Sequence, residues 1–478
     1  MIDTKKAKSR LLSIAFSGKL RTYDSRYKSN IEIDSIHSSI KKYKKVSDAE
    51  KLIDAPEDWA WSRLGYITFN HGQTVPQQSF SYIDVGTLDN EHQRLSPTEN
   101  IIDAKDAPSR ARKIVKRGDV IYSTVRPYLH NICVIDKDFS EAPIASTAFC
   151  VMHANSSVLL NRFLFYWLLT PEFDKFSNGN PSKGMLYPAI GEKALLNAVI
   201  PVPSIEEQKA IVGTLDEVFA LINSIDDAQT RYTSDVSALK SKVIDAGIQG
   251  RLTERLPEDG TAQELFEHIQ KEKACLIKEG KIKKQKPLPP IKPEEIPFEI
   301  PENWMWVRLE ELAFITKLAG FEYTKNVAPN LTEYGIPLFK GKNIQNGSLI
   351  LKFESYIPEN ISDSLPRSQL TKKCLLIPYV GTIGNVAIFN GSFKAHLGSN
   401  VGKVEFFNED TTYISEEYIW YYLRSSEGYK QLTKKKKATA QESISMEALR
   451  NVFVPLPPFA EQQRTADRIE EILEAVGE

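Results

Sequence analysis

The chain lacks most features that identify a membrane protein, a disulfide-rich domain or a zinc protein. It has four cysteines, and no two of them have the CxxC spacing of a zinc site or redox pair. No stretch approaches the roughly 18 apolar residues that cross a bilayer. The basic N-terminus has no apolar core of the signal-peptide type. These absences predict a cytoplasmic protein with reduced thiols.

Motifs for catalysis are also missing. The sequence has no GxxxxGK[ST] phosphate loop, no GxGxxG opening a helix and no HExxH. The segment GTIGN at Gly381 lacks the lysine and spacing needed to hold a nucleotide, and NGNPSKG near Asn180 lacks the aromatic residue that stacks a methyltransferase's target base. The seven histidines are scattered, so each is expected to be a surface or hydrogen-bonded residue. We therefore expect no catalytic residue, metal ligand or cofactor on this chain.

Length and charge set broad limits. The chain has 478 residues, 41% of them hydrophobic, which is enough for two or three domains with separate cores. The net charge of −1 argues against a uniformly basic nucleic-acid binder, but it leaves room for local basic surfaces.

Internal repeats are the most informative feature. The segment PVPSIEEQKAI from Pro201 resembles PLPPFAEQQRT from Pro455, and PEDWAWSRLGYI from Pro56 resembles PENWMWVRLEEL from Pro301. A looser match joins VRPYLHNICVI to VGTIGNVAIF. Each copy also reads as short strands and one helix, the latter being SVLLNRFLFYWLLTPEFDKF in the first copy and ISEEYIWYYLRSSEGYKQL in the second. The pattern predicts two related α+β domains.

The order of the repeats predicts a circular permutation. AKSRLLSIAFSGKL, near the N-terminus, resembles LKSKVIDAGIQGRL from Leu239, whereas the C-terminal segment resembles the residues after Pro201. A capping box at Ser204 and Glu207 begins an apolar stripe that continues to about Gly250, which predicts a coiled-coil-like helix roughly 70 Å long. The two chain ends together match nearly all of it. We expect them to form a second long helix, antiparallel to the first, with the termini close together and the two domains related by a pseudo-twofold.

The predicted division of the chain has seven segments. They are a split-helix portion at 1–20, a connector at 21–54, a first globular domain at 55–203, the central helix at 204–252, a helix and proline-rich connector at 253–300, a second globular domain at 301–457 and a C-terminal helix at 458–478.

Basic loops occur in both domains. Between Lys105 and His130 seven lysines and arginines stand against two aspartates, and Lys434–Lys437 form a run of four in the second domain. Such cations neutralise phosphates, and Arg, Asn and Gln also pair with base edges. Any one such loop could equally be a solvated surface, but its recurrence in both repeats favours a DNA-facing surface.

These segments resemble the specificity subunit of type I restriction–modification systems. The resemblance rests on IPENWMWVRLEEL, GDVIYSTVRPYL, PLPPFAEQQR and the run from LKSKVIDAGIQGRL to KEGKIKK, and it extends over nearly the whole chain. It implies a non-catalytic subunit with two target-recognition domains that bind double-stranded DNA at a split, asymmetric target. It also implies two methyltransferase subunits docked on the helices and restriction subunits joined through them. S-adenosylmethionine, ATP and Mg²⁺ are then expected on those partners.

The resemblance and the basic loops together give the predicted sites. The residues expected to contact the first half-site are Gln73, Gln77, Gln78, Arg110, Arg112, Arg126, Tyr128, His130 and Asn131. Those expected to contact the second are Lys340, Lys342, Asn343, Tyr379, Thr382, Asn385, Ser399, Asn400, Lys434, Lys435, Lys436, Lys437 and Gln441. Partner docking is predicted at Ile211, Leu215, Val218 and Ile222, whose alternative role is packing between the long helices.

Two other functions remain open at this point. One is a self-sufficient modification enzyme, against which the missing cofactor motifs count. The other is a DNA-binding scaffold without any link to restriction.

Overall fold

The computed structural model describes residues 1–20, 44–179, 188–284, 288–408, 413–434 and 443–477. It divides into two compact units, Met1–Arg231 and Tyr232–Glu478. The predicted connector at 21–54 therefore lies only partly within the described residues. No helix in the described ranges is both long and apolar enough to cross a membrane.

Unit 1 contains two four-stranded sheets, a two-stranded pair and a short hairpin. Its strands are β1 Ala60–Arg63, β2 Thr68–Phe69, β3 Phe80–Ile83, β4 Leu88–Asp89, β5 Arg94–Leu95, β6 Ile101–Ile102, β7 Ala111–Ile114, β8 Val120–Ser123, β9 Ile132–Val134, β10 Pro143–Ser146, β11 Phe149–Ala154 and β12 Val199–Val202. Its helices are α1 Thr4–Phe16, α2 Leu64–Ile67, α3 Asn161–Leu168, α4 Pro171–Gly179 and α5 Glu192–Asn197. The long helix α6, Ile205–Ile248, begins in this unit.

Unit 2 has the same kinds of sheet. Its strands are β13 Met305–Arg308, β14 Ala313–Lys317, β15 Ile336–Phe339, β16 Ile344–Gln345, β17 Ser348–Leu349, β18 Tyr356–Ile357, β19 Gln369–Leu370, β20 Cys374–Pro378, β21 Ala387–Phe389, β22 Ala395–Leu397, β23 Val401–Phe406 and β24 Phe453–Leu456. Its helices are α7 Ala262–Lys278, α8 Leu309–Leu312, α9 Gly320–Glu322, α10 Glu359–Asp363, α11 Glu416–Arg424, α12 Ser426–Thr433, α13 Met446–Arg450 and α14 Phe459–Ala475.

The two units have equivalent strand orders, which confirms the predicted repeat. The order β2-β11-β8-β9 in unit 1 matches β14-β23-β20-β21 in unit 2, and β6-β3-β10-β7 matches β18-β15-β22-β19. In each unit, the second of these sheets has one parallel pair of strands at the same place. The pair is β3 with β10 in unit 1 and β15 with β22 in unit 2. We call these common sheets, together with the β1–β12 and β13–β24 pairs, the shared frame.

The two strongest sequence repeats are hydrogen-bonded neighbours within each unit. The strand with the tryptophan repeat pairs with the strand of the Pro-x-Pro repeat, so that Trp61 lies opposite Pro201 and Trp306 opposite Pro455. These prolines stand on strands that belong to two-stranded pairs, where a missing N–H is tolerated at the edge.

The Glu-Gln repeat after each Pro-x-Pro strand has a structural role. The buried Gln208 side chain donates to the carbonyl oxygens of Val158 and Pro203, at 2.8 and 3.0 Å, and accepts from the Leu160 N–H at 2.8 Å. Gln462 makes the corresponding bonds to Tyr413, Pro457 and Ser415. In both units one amide therefore satisfies three backbone groups, which ties the helix start to the globular part.

Each chain end packs antiparallel to α6 within its own unit. In unit 1, Thr4 donates to Asp226 at 2.8 Å, and Lys8 lies over the Phe219 ring. In unit 2, Ile469 lies against Gly247, and Thr465 contacts Thr253 at 3.2 Å. These contacts agree with the permuted order of the repeats.

The glycines that end the two matching helical segments have the same environment. Gly18 and Gly250 have φ near +70°, and a Cβ at either would lie within 2.6 Å of a proline ring, that of Pro56 or Pro301. An L-residue side chain would therefore meet both backbone strain and a clash.

Two helix predictions need correction. Each single helix predicted after the strands is a pair of helices, α3 with α4 and α11 with α12. In the first, the Thr170 hydroxyl accepts from the Phe173 N–H and starts a new helix at Pro171. In the second, Ser425 adopts an extended conformation and caps α12. Side-chain caps override the continuous helical periodicity at both places.

The predicted docking residues are mostly core residues. Leu215 is fully buried, Ile211 is 6% exposed, and both belong to the apolar core of unit 1. Ile222 is also buried, and Val218 is half-buried. The prediction of partner docking at Ile211 and Leu215 is therefore wrong, because these side chains belong to the core of the unit, and Ile222 exposes only 9% of its surface.

Candidate nucleic-acid interface

In unit 1 the glutamine segment lies beside the arginine strand. Gln73 forms a β-bridge with Lys113, and the Thr74 N–H donates to the Arg112 carbonyl oxygen at 2.8 Å. Gln73, Gln77 and Gln78 are exposed, and the Gln77 amide donates only to its neighbour Val75, at 3.3 Å. The structure thus places three exposed amides next to β7, although some forty residues separate them in sequence.

Hydrogen bonds to a turn at 147–148 bring β7 close to the loop that follows β8. The Thr147 N–H donates to the Arg110 carbonyl oxygen, and the Thr124 N–H donates to the Ala148 carbonyl oxygen, both at 2.8 Å. The loop after β8 therefore begins near Arg110. The exposed Arg110 guanidinium donates to the Tyr82 hydroxyl at 3.1 Å and lies 3.6 Å from the Asp84 carboxylate.

The Arg126 loop has an unusual backbone. Arg126 and His130 both have positive φ, 49° and 50°, and each flanks a short 3₁₀ turn at Pro127–Leu129. Arg126 and Tyr128 are exposed, whereas the His130 ring contacts the Asp174 carboxylate at 2.7 Å. Such conformations are uncommon for residues other than glycine and often mark functional positions.

Asn131 does not belong to an accessible loop. It is 6% exposed, and its backbone carbonyl accepts from the Ser123 N–H at 2.9 Å, where β8 and β9 meet. The prediction of a base contact by Asn131 is therefore wrong, because the residue is buried where the two strands meet.

The basic run of unit 1 is less positive at the surface than its sequence indicates. Lys113 is buried and pairs with Glu192 at 2.8 Å. Three other cations in the run, at positions 105, 110 and 117, each lie within 4 Å of an aspartate. The net positive charge of this surface is thus smaller than the excess of five positive charges counted along the sequence.

Unit 2 brings most of its predicted residues into one cluster. The Tyr379 N–H donates to the Asn400 carbonyl oxygen at 3.0 Å, and the Gly398 N–H donates to Phe339, the residue before Lys340, at 2.8 Å. The Asn385 side chain accepts from the Asn346 N–H at 3.1 Å. Thr382 and Asn400 are exposed, and Ser399 and Asn385 are half-buried.

Lys317 adds a cation that sequence reasoning missed. Its ammonium lies 4.3 Å from the centre of the Tyr379 ring, which is within cation–π range. Partial burial raises the pKa of the Tyr379 hydroxyl, so the group stays neutral and able to donate a hydrogen bond. The isolated lysine on β14 carried no local sequence signal.

Three other predicted contacts in unit 2 have partners within the unit. Asn343 is buried, its amide donates to the Ile350 and Lys352 carbonyl oxygens, and its oxygen caps Lys340. The prediction of DNA contact by Asn343 is wrong because the side chain shapes its own turn. Lys340 donates to the Ser355 hydroxyl at 2.8 Å, and Lys342 pairs with Glu354.

The lysine run lies largely beyond the described ranges. Lys434 is exposed just after α12. Lys435, Lys436, Lys437 and Gln441 fall outside the described residues, so their predicted contacts stay predictions. The chain is described again at Ser443, which bridges Val380 at the start of the Gly381 loop.

The histidines are not all scattered, contrary to expectation. His71 Nε2 and His153 Nδ1 lie 3.1 and 2.6 Å from the same carboxylate oxygen of Asp119. Asp119 is fully buried. The three residues converge because they stand at one edge of three neighbouring strands, β2, β11 and β8, and sequence spacing alone gave no sign of this.

Comparisons with known proteins agree with the repeated architecture. The family model for the type I restriction modification DNA specificity domain matches residues 56–230 and 301–476. The chain is 24% identical to the type I restriction enzyme EcoAI specificity subunit of Escherichia coli, over 91% of this chain and 81% of that one. It is 25% identical to the EcoEI specificity subunit of the same organism, over 90% and 81%.

A solved structure shares the fold. It comes from a study of complex assembly and conformational transition of the type I R-M system, with a TM-score of 0.62, 24% identity, and coverage of 88% of this chain and 91% of that one. Together the two matched segments of the family model span well over half of the chain, one in each unit. The chain therefore belongs to the family of type I restriction–modification specificity subunits, with one copy of the DNA specificity domain in each unit.

Proposed function

We propose that unit 1 and unit 2 each read one half of a bipartite, asymmetric DNA target. The observation that carries this proposal is the shared frame with unlike loops. The loops that follow the equivalent strands β8 and β20 differ, since Val125 is followed by Arg126 in unit 1 and Val380 is followed by Gly381 in unit 2. The first loop also carries Tyr128, and the second carries Thr382. Similar modules with different loop side chains would read different bases.

In unit 1 the proposed surface comprises the glutamine segment, β7 and the Arg126 loop. Arg110 and Arg112 have the fork geometry that pairs with guanine, and the exposed glutamines can pair with adenine. Tyr128, which is 51% exposed, adds a ring and a hydroxyl on the Arg126 loop. The contact between the His130 ring and the Asp174 carboxylate fixes the end of this loop.

In unit 2 the proposed surface comprises Tyr379, Thr382, Asn385, Ser399 and Asn400, with Lys340 and Lys342 at its side. These mostly neutral groups suit base-edge contacts, whereas the lysine run at 434–437 suits phosphate contacts. We propose that the run sets affinity and the polar cluster sets sequence preference.

The partners are proposed from the family. Two methyltransferase subunits would dock on this chain and supply S-adenosylmethionine, and restriction subunits joined through them would supply ATP and Mg²⁺ chemistry. Because the predicted docking side chains are buried, we assign docking to exposed positions of α6. In unit 1 the apolar side chains of Leu221 and Ile225 are 64% and 38% exposed. They lie four residues apart and hence on one helix face.

The test uses the chain assembled with its methyltransferase subunits. Methylated adenines mapped in the host genome, with and without this gene, first give the target. Arg110→Ala is then expected to reduce discrimination at one half-site by roughly tenfold or more, because a bidentate base contact is worth about 1–3 kcal/mol. Thr382→Ala is expected to act on the other half-site only.

A matched control removes a cation away from both surfaces. Lys394 pairs with Glu359 and Asp363, so Lys394→Ala should leave recognition of both half-sites unchanged. If Arg110→Ala and Thr382→Ala relaxed the same half-site, or neither changed specificity, the division of labour between the units would be refuted.

The lysine run has its own test. Replacing Lys434–Lys437 by serine should lower affinity on all sequences alike and reduce the salt slope of binding by about 1 for each lysine that touches a phosphate. An unchanged affinity and slope would show that the run binds no phosphate.

A further inference from the structure

We propose that His71, Asp119 and His153 form a binding site for Zn²⁺ in unit 1. The atoms that could act as ligands, two imidazole nitrogens and a carboxylate oxygen, all lie within 4.8 Å of one another. None of the proposed DNA contacts uses this cluster.

The three ligands are held by adjacent strands. His153 stands on β11 opposite Phe69 of β2, and its neighbour Met152 pairs with Val120 of β8. His71 follows β2 by two residues, and Asp119 directly precedes β8. The strand register therefore fixes the spacing of all three groups, which is the rigidity that a metal site requires.

A small cation would fit between these atoms after a rearrangement of the side chains. Asp119 Oδ1 lies 3.1 Å from His71 Nε2 and 2.6 Å from His153 Nδ1. Ligands bound tetrahedrally at about 2.0–2.1 Å are separated by roughly 3.3 Å, so the His153 nitrogen would have to move about 0.7 Å away from the carboxylate oxygen to admit the ion.

The surroundings suit a metal site as well. Asp119 Oδ2 accepts from the Lys116 backbone N–H at 2.7 Å, which orients the carboxylate from outside the ligand set. The Phe69 ring lies 5.6 Å from His71 and 5.0 Å from His153 and covers one side. The His153 side chain is 27% exposed, so an ion could reach the cluster from solvent.

The donor set selects the metal class. Imidazole nitrogens favour Zn²⁺ and related first-row ions over Mg²⁺ or Ca²⁺, which prefer oxygen ligands throughout. Zn²⁺ also tolerates a three-ligand site completed by water.

Unit 2 provides an internal comparison. In the shared frame, strand register places Thr316, Cys374 and Glu405 at the positions of His71, Asp119 and His153. None of these three positions in unit 2 carries an imidazole, so folding of this sheet does not require the cluster.

Binding would fasten the segment that follows β2. His71 lies two residues before Gln73, and the Gly72 carbonyl oxygen accepts a hydrogen bond from the Ile114 N–H of β7 at 3.2 Å. An ion at this point would hold the start of the glutamine segment against three strands. The metal itself would have a structural role.

The test is metal binding by the full chain after treatment with chelator. One equivalent of Zn²⁺ should bind, Zn²⁺ at a hundredfold excess over its Kd should raise the Tm by roughly 5 °C, and Co²⁺ should give the visible absorption of a tetrahedral site. His71→Gln and His153→Asn each place an amide near the lost ring nitrogen and can keep the bond to Asp119. Both should weaken binding at least tenfold.

The matched control is the exposed pair His92 and Asp89, which has one imidazole and one carboxylate at 2.9 Å. His92→Gln should leave binding and the Tm shift unchanged. If wild-type chain bound no Zn²⁺, or if the His71 and His153 variants bound it as tightly as wild type, the proposal would be overturned. The variants' circular dichroism, compared with wild type, shows whether weaker binding reflects loss of fold.

Discussion

The two units agree most closely in the side chains that satisfy backbone groups at element ends, and they differ at the sheet edge that carries His71, Asp119 and His153. Gln208 and Gln462 make the same three hydrogen bonds, and Gly18 and Gly250 meet equivalent prolines. By contrast, His71, Asp119 and His153 are replaced in unit 2 by a threonine, a cysteine and a glutamate. The repeat thus preserves the groups that satisfy backbone hydrogen bonds at element ends, whereas the side chains at one edge of the sheet and in the loops differ.

The strongest test of the shared frame concerns the repeated glutamine. Gln208→Ala and Gln462→Ala should each lower the free energy of unfolding of their unit by about 3 kcal/mol, because three buried backbone groups lose a partner. Hydrogen exchange read by mass spectrometry locates the loss in one unit. The exposed Gln263, which bonds only Glu267, is the control, and Gln263→Ala should change stability by less than about 0.5 kcal/mol. Clearly unequal losses at 208 and 462 would contradict equivalence.

Substitutions in the tryptophan repeat should destabilise the two units by different amounts. Trp59 donates to the buried Glu207 carboxylate at 3.1 Å, whereas Trp304 Nε1 has no hydrogen-bond partner among the described residues. Both rings are about 5% exposed, so Trp→Phe removes a similar apolar volume from each core. We expect Trp59→Phe to cost about 1.5 kcal/mol more than Trp304→Phe, measured by denaturant unfolding. Equal costs would mean that the Glu207 bond has no net value.

The residue after Val125 in unit 1 and the residue after Val380 in unit 2 both have a left-handed backbone. Substitutions there should show whether backbone strain is retained for DNA binding. Arg126 and Gly381 occupy this position in the two units, with φ of 49° and 86°. Arg126→Gly should raise stability by about 1 kcal/mol while weakening DNA binding, and Gly381→Ala should lower stability by about 1 kcal/mol. Thermal unfolding and DNA titration of the same samples give both values. A loss of stability in Arg126→Gly would show that the arginine's interactions outweigh its backbone strain.

The smallest expected difference between the two units is in how far their stability falls at acid pH. The Ser47 backbone N–H and then Arg63 lower the pKa of Glu50 to about 2. A lowered pKa means that the bond stabilises unit 1 above pH 4.5, and this stability is lost as pH falls toward 2. Arg308, the equivalent residue in unit 2, donates instead to the Pro289 carbonyl oxygen.

Because Glu50 is 43% exposed, the contribution should be only about 1 kcal/mol. Glu50→Gln should therefore destabilise unit 1 at pH 7 but not at pH 2, whereas Glu57→Gln on the same segment should have no effect at either. The check is hydrogen exchange of unit 1 peptides across this range. A Glu50→Gln effect that persists at pH 2 would exclude an ionic origin.

Much of the fold could be predicted because the repeated sequence segments are hydrogen-bonded neighbours within each unit. Within 253–300, the capping-box spacing of Thr261 and Glu264 and the stop at Gly280 predict a helix that agrees with α7 within two residues. The β-branched and aromatic runs GDVIYSTV, ICVID, KCLLIPYV and GKVEFF predict strands that agree with β8, β9, β20 and β23. The helix breaks at Thr170 and Ser425 were missed because a local side-chain cap competes with a continuous apolar period.

The sites were less predictable. Asn131 and Asn343 have residue types suited to base contacts, but burial commits them to strands and turns. Likewise, Ile211 and Leu215 form an apolar stripe whose partner, own core or foreign subunit, cannot be read from the stripe itself.

By itself the sequence determined that this protein is built twice, in permuted order, because hydrophobic periodicity, helix caps and paired motifs are local signals that survive in one dimension. Only the tertiary structure decided which polar residues remain at the surface and which distant ones meet. His71, Asp119 and His153 meet because strand register joins positions 48 and 34 residues apart, and register depends on pairing along the whole sheet.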